Sequence, residues 1–160
     1  MNFESTYKEN YPKMFCMASK MVGDEDVAGD IVQDVFAYYF EKLQGGYVIR
    51  LPQNWLVRAT VNKSIDYLNQ RKKRTSLSDV DNLTAEVETF EIQQPDVILR
   101  QAIAELKPME MKLIALYSEG YSYKEIAQIA EIKFSSVGKT LSRILDKLKG
   151  ILKKMDYEMC

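Results

Sequence analysis

The chain has 160 residues, with 22 Lys and Arg against 23 Asp and Glu for a net charge of -1, which leaves room for one ordinary domain or two small ones. It has no histidine and only two cysteines, Cys16 and Cys160, which excludes His-based triads, most zinc chemistry and a disulfide scaffold, so neither an enzyme nor a cofactor is expected. The longest apolar run, Val35 to Phe40, is far short of the roughly 20 residues of a membrane span, and Met1-Asn2-Phe3-Glu4 is no secretory leader, so a cytoplasmic protein not embedded in a membrane is expected.

The first helix is expected over about residues 3–21. Gly23-Asp24-Glu25-Asp26 opens a second, with Asp24 as N-cap and acids in the first turn, where the helix dipole favours them. Gly45-Gly46 stops it. Pro52 suits the first turn of a third helix that continues to about Arg74, and Val57, Val61, Ile65 and Leu68 form its apolar stripe. Residues 76–94 are polar, without a sustained helical or strand period, and read as a linker or as a loop packed on one larger domain. Pro108 then opens a helix that Gly120 ends. Ser122-Tyr123-Lys124-Glu125 has the form of a capping box, in which Ser122 and Glu125 each satisfy the other's backbone N–H. The short helix it starts turns Ile126, Ala127, Ile129 and Ala130 inward. After a turn around Glu131-Ile132-Lys133, a last helix from about Ser135 repeats Val137, Leu141, Ile144, Leu148 and Ile151 at helical spacing. No strand pattern competes. The fold class is all-α: a three-helix domain over 1–75, a linker over 76–94, and a four-helix domain over 95–160 ending in a helix-turn-helix.

The near-neutral total hides an uneven distribution. Residues 1–75 hold 11 bases and 9 acids, residues 76–98 hold 6 acids and no base, and residues 99–160 hold 11 bases and 8 acids. Two mildly basic ends are joined by an acidic stretch. In the last helix Lys139, Arg143 and Lys147 make a stripe opposite the apolar one, with Ser136 and Thr140 near its N-terminal end. Short hydroxyls and cations there suit base edges and phosphates, because the first half of a second helix-turn-helix helix enters the major groove.

The third helix aligns Trp55, Arg58, Asn62, Asp66 and Asn69 beside its apolar stripe and ends in Arg71-Lys72-Lys73-Arg74. An aromatic, an amide and cations are the parts of a single-strand platform, although a lone tryptophan also suits a core anchor. The second helix repeats Asp26, Asp30 and Asp34 every four residues, with Gln33 alongside. Such a face repels DNA and serves either solubility or a basic partner helix.

These elements, in this order, resemble the extracytoplasmic-function group of sigma-70-type sigma factors. Gly23-Asp24 to Phe36 is similar to region 2.2, Trp55-Leu56-Val57-Arg58 through Asn62 to Leu68 to regions 2.3 and 2.4, and Leu106-Lys107-Pro108, Ser122 to Ala127 and Val137 to Arg143 to region 4. Glu131 stands where the family often has glycine. The resemblance implies that Asp30, Gln33 and Asp34 dock on the β′ clamp helices of core RNA polymerase, with the β flap as a second contact. It implies that Arg58, Asn62, Lys63 and Asp66 hold the -10 element as it melts, and that Ser136, Lys139, Thr140 and Arg143 contact the -35 element as duplex. It also implies an anti-sigma factor as partner and no small-molecule substrate. A stand-alone helix-turn-helix regulator is the alternative reading of the same residues.

Overall fold

A computed structural model describes residues 2–77 and 95–159, so the expected linker falls outside the described residues from 78 to 94. The described residues form seven helices and no strand: α1 (Phe3–Val22), α2 (Glu25–Gln44), α3 (Pro52–Leu77), α4 (Pro95–Ala104), α5 (Pro108–Ser118), α6 (Tyr123–Ala130) and α7 (Phe134–Met159). The described residues are all-α, as the periodicity predicts. None of the described helices is long and apolar enough to cross a membrane.

Local chemistry sets the helix ends. The Asn2 side chain accepts from the Ser5 N–H at 2.8 Å, and Asp24 accepts from the N–H groups of Asp26 and Val27 at 2.9 and 3.2 Å. Each satisfies donors that have no partner in the first turn. Between α1 and α2, Gly23 takes φ +73°, and its N–H closes the helix on the Ser19 carbonyl. That left-handed conformation costs a glycine little.

α1, α2 and α3 pack on one another, while α4 and α5 pack against α7 and α6 lies between α5 and α7. In the first group Met14, Met17, Val32, Val35, Phe36, Leu56, Val57, Val61 and Ile65 are buried. Leu68, the last member of the predicted stripe, is only half-buried. Thr60 and Ser64 are buried with them, and the Ser64 hydroxyl donates to the Thr60 carbonyl at 2.8 Å, so a short polar side chain crosses the core without an orphaned donor. In the second group Leu113, Leu116, Ile126, Ile129, Val137, Leu141, Ile144 and Leu148 are buried. Ile126, Ile129 and Ala130 face inward as predicted, while Ala127 is half-buried at the edge.

Two carboxylates tie the second group together. Glu125 and Ser122 form the predicted capping box, with Glu125 N–H to Ser122 Oγ at 3.1 Å and Ser122 N–H to Glu125 Oε1 at 2.9 Å. Glu110 repeats half of this motif at the start of α5, accepting from the Lys107 N–H at 2.8 Å, and also holds Lys147 of α7 at 2.9 Å. Both carboxyls lie below the ordinary glutamate pKa of 4.5, Glu110 through the Lys147 and Lys107 hydrogen bonds and Glu125 through its backbone and hydroxyl bonds to Ser122. A depressed folded-state pKa stabilises the fold above the unfolded value, and that contribution is lost as pH falls through the folded value. Thermal melts of a Glu110→Gln/Glu125→Gln variant should therefore change less than wild type between about pH 5 and pH 3. Parallel acid limbs would show that neither carboxylate matters to the fold.

Candidate nucleic-acid interface

α6 and α7 make the helix-turn-helix. α6 ends at Glu131, which takes φ 58° and ψ 46° and closes the helix by its N–H on the Ala127 carbonyl. Ile132 N–H reaches the same carbonyl at 3.1 Å. The turn then releases α7 with its apolar side, Val137, Leu141 and Ile144, against α5 and α6. The opposite side presents Ser136, Lys139 and Arg143 to solvent, with Thr140 half-buried between them. All four lie within one arc near the start of the helix, and they offer hydroxyls and cations to a duplex. Lys147 departs from the predicted basic stripe. Its ammonium is engaged by Glu110 of α5 and therefore braces the domain.

α3 places the remaining candidates on two different sides. Lys63 pairs with Asp34 of α2 at 3.3 Å, which joins a residue expected at DNA to one expected at polymerase. Asn62 is half-buried and Asp66 exposed on the outer side of the helix. Arg58 reaches across to the second helical group. Its Nε donates to the Ile129 carbonyl at 2.6 Å and its Nη2 to the Gln128 carbonyl at 2.9 Å, and Nη1 meets Glu131 Oε1 at 2.7 Å. Lys112 of α5 lies beside this contact. Burial holds its pKa below the ordinary 10.5, the Arg58 charge lowers it further, and Glu131 offsets part of the effect.

On α2 the carboxylates of Asp30 and Asp34 and the amide of Gln33 are all exposed. Gln33 is steadied by its amide donating to the Tyr7 hydroxyl at 3.3 Å.

Trp55 packs as an anchor, stacked on Tyr38 at 5.7 Å between ring centroids and tilted against Tyr39 at 5.4 Å. The aromatic surface available for stacking lies next to it and is not evident from helical spacing. Lys42 lies over the Tyr38 ring at 5.3 Å and the Tyr47 ring at 4.2 Å. In the turn between α2 and α3, Tyr47 is 62% and Val48 87% exposed. The signal in the sequence is an apolar run, Tyr47-Val48-Ile49, placed directly after the Gly45-Gly46 helix stop.

Residues 96–148 match the family model described as Sigma-70, region 4. The C-terminal helices are thus similar in sequence to a sigma-70 region 4. The chain is similar in fold to a chain of the co-crystal structure of the sigma factor RpoE in complex with the anti-sigma factor NepR from Bartonella quintana. The TM-score is 0.62 at 18% identity, over 94% of this chain and 96% of that chain. No curated protein matches the chain. The likeness to sigma factors thus rests on region 4 in sequence and on both helical groups in fold.

Proposed function

We propose that this protein is a sigma factor of the extracytoplasmic-function type. In this reading it is a subunit without bond chemistry of its own that brings core RNA polymerase to promoters in the cytoplasm. The observation that supports this reading is a match to sigma-70 region 4 over residues 96–148 in a chain whose three N-terminal helices carry an acidic face. A protein that bound DNA alone would gain nothing from Asp30 and Asp34 exposed in a row, since that face repels phosphates. A basic partner helix would be drawn to it.

Residues 1–75 serve as region 2 and residues 95–160 as region 4, on either side of the linker. Asp30, Gln33 and Asp34 dock on the β′ clamp helices, and region 4 meets the β flap. Asn62 and Asp66, with Lys63 and a released Arg58, hold the -10 strand as it unpairs, beside the stacking surface of Tyr38 and Tyr47. Ser136, Lys139, Thr140 and Arg143 contact the -35 duplex. RpoE of the Bartonella complex is bound by an anti-sigma factor, and we extend such a partner to this chain.

Reconstitution tests the reading directly. Full-length protein mixed with core polymerase should select promoter DNA from a random pool and transcribe from it. Tight duplex binding by the free protein, with no binding to core polymerase, would identify a stand-alone regulator. Within the reconstituted system Asn62→Ala should leave polymerase binding within about twofold of wild type and reduce open-complex formation by roughly tenfold, about 1.4 kcal/mol. Equal losses in both steps would remove Asn62 from the melting role.

A further inference from the structure

We propose that Phe134, Gly138 and Tyr123 form an apolar surface on the helix-turn-helix that reads the 5-methyl group of thymine in the major groove. This contact rests on the sigma-factor reading only in taking the duplex for a -35 element.

Phe134 is the first residue of α7, and it is 61% exposed. A single exposed ring needs no explanation on an ordinary surface. This one stands where the second helix of a helix-turn-helix meets base edges, with exposed lysines at Lys133 before it and Lys139 after it. Those cations draw the start of α7 towards phosphates. The ring gains nothing from phosphates and is stabilised only where an apolar group covers it. Tyr123, the first residue of α6, is 44% exposed. Neither ring belongs to the hydrophobic core.

Gly138 lies one turn after Phe134 on the same side of α7. A glycine inside a helix weakens it, and nothing among the described residues calls for one at this point. The left-handed conformation that Gly23, Gly46 and Gly120 take is not used here. Packing does not exclude a side chain either, because a Cβ at this position would meet its nearest neighbour, Tyr123 Cε2, at 3.5 Å, an ordinary van der Waals contact. The missing side chain therefore serves something outside the fold. It leaves a gap on α7 with the Tyr123 ring beside it and Phe134 one turn before it, where a base edge can come close to the helix. Among the groups that base pairs present in the major groove, only the thymine 5-methyl is apolar. Phe134 and Gly138 have no side-chain donor or acceptor to offer the other edges, whereas a methyl group laid on them leaves water.

The test uses the full-length chain as wild type, Phe134→Ala and Gly138→Leu, each alone and mixed with core polymerase at one salt concentration. Phe134 is exposed and leucine favours a helix over glycine, so both variants should keep the wild-type circular dichroism spectrum and denaturation midpoint. Gly138→Leu fills the gap and keeps a base edge off the helix. Wild type should enrich thymine at a fixed position when it selects from a pool of random duplexes. Deoxyuridine then replaces each enriched thymine in turn, which removes the methyl group and nothing else. At one position this should weaken wild-type binding by about fourfold, the factor that burial of one methyl group predicts. Both variants should bind the thymine and uracil duplexes equally. Selection without any enriched thymine would overturn the proposal, as would a wild type indifferent to uracil or discrimination retained by either variant. Uracil discrimination by a chain that never binds core polymerase keeps the thymine contact and loses the sigma-factor reading. Promoter transcription indifferent to uracil does the reverse.

Discussion

Asp34→Lys is expected to weaken binding to core RNA polymerase by about tenfold or more, a loss of at least about 1.4 kcal/mol. The substitution reverses a charge in the middle of the proposed docking face, where Asp30 and Gln33 are its exposed neighbours. It acts a second time on Lys63. That ammonium now rests 3.3 Å from the Asp34 carboxylate and would instead face a second ammonium, so it would swing away from α2. Asp34→Asn separates the two effects. It removes the partner of Lys63 without introducing repulsion against a basic partner, and should cost less than the reversal. Competition between labelled wild type and each variant for immobilised core polymerase measures both. If Asp34→Lys competes as well as wild type, the acidic face of α2 is a solubility feature and the polymerase must dock elsewhere.

The largest loss of stability is expected from Leu141→Ala. Leu141 is 1% exposed in the middle of α7, on the side that packs against α5 and α6. Truncation removes buried apolar surface and leaves a cavity, for which about 2–5 kcal/mol is usual. That is a large share of the stability of so small a helical group. The second helical group should therefore be largely melted at 37 °C in this variant, seen as a lowered midpoint in chemical denaturation and as rapid hydrogen exchange across α6 and α7. Leu145, one turn on and half-buried, supplies the control. Its replacement by Ala should cost under about 1 kcal/mol. Equal midpoints for the two variants would mean that α7 does not pack on its Val137–Leu141–Ile144 side.

What could be read from the residues alone was local. Asp24, Gly23, Ser122 with Glu125, and the turn at Glu131 each act within about four residues along the chain, and each caps or ends a helix where its chemistry predicts. The apolar spacing of Val57, Val61 and Ile65, and of Val137, Leu141 and Ile144, names the buried sides for the same reason. The Asp30 and Asp34 face and the Ser136, Lys139 and Arg143 face follow from that periodicity too, since a residue opposite a buried stripe is exposed.

Other assignments depended on elements that sequence spacing does not bring together. Lys147 belongs to the basic stripe by spacing, yet it is spent on Glu110, 37 residues away. Trp55 suits a stacking platform or a core anchor equally well until Tyr38 and Tyr39 are placed against it. Arg58 lies on the same helical face as Asn62 by periodicity, but it reaches Gln128 and Ile129, 70 and 71 residues on.

The sequence by itself therefore determined helices in place of strands among the described residues, several of the helix ends, the main buried stripes and the residue types on the outward faces, all of which arise from interactions a few residues apart. Only the tertiary structure decided which of those outward side chains are available. An arginine or lysine is long enough to serve DNA, a carboxylate or a helix end, and its choice is made by whichever partner the packing of other helices brings within about 3 Å.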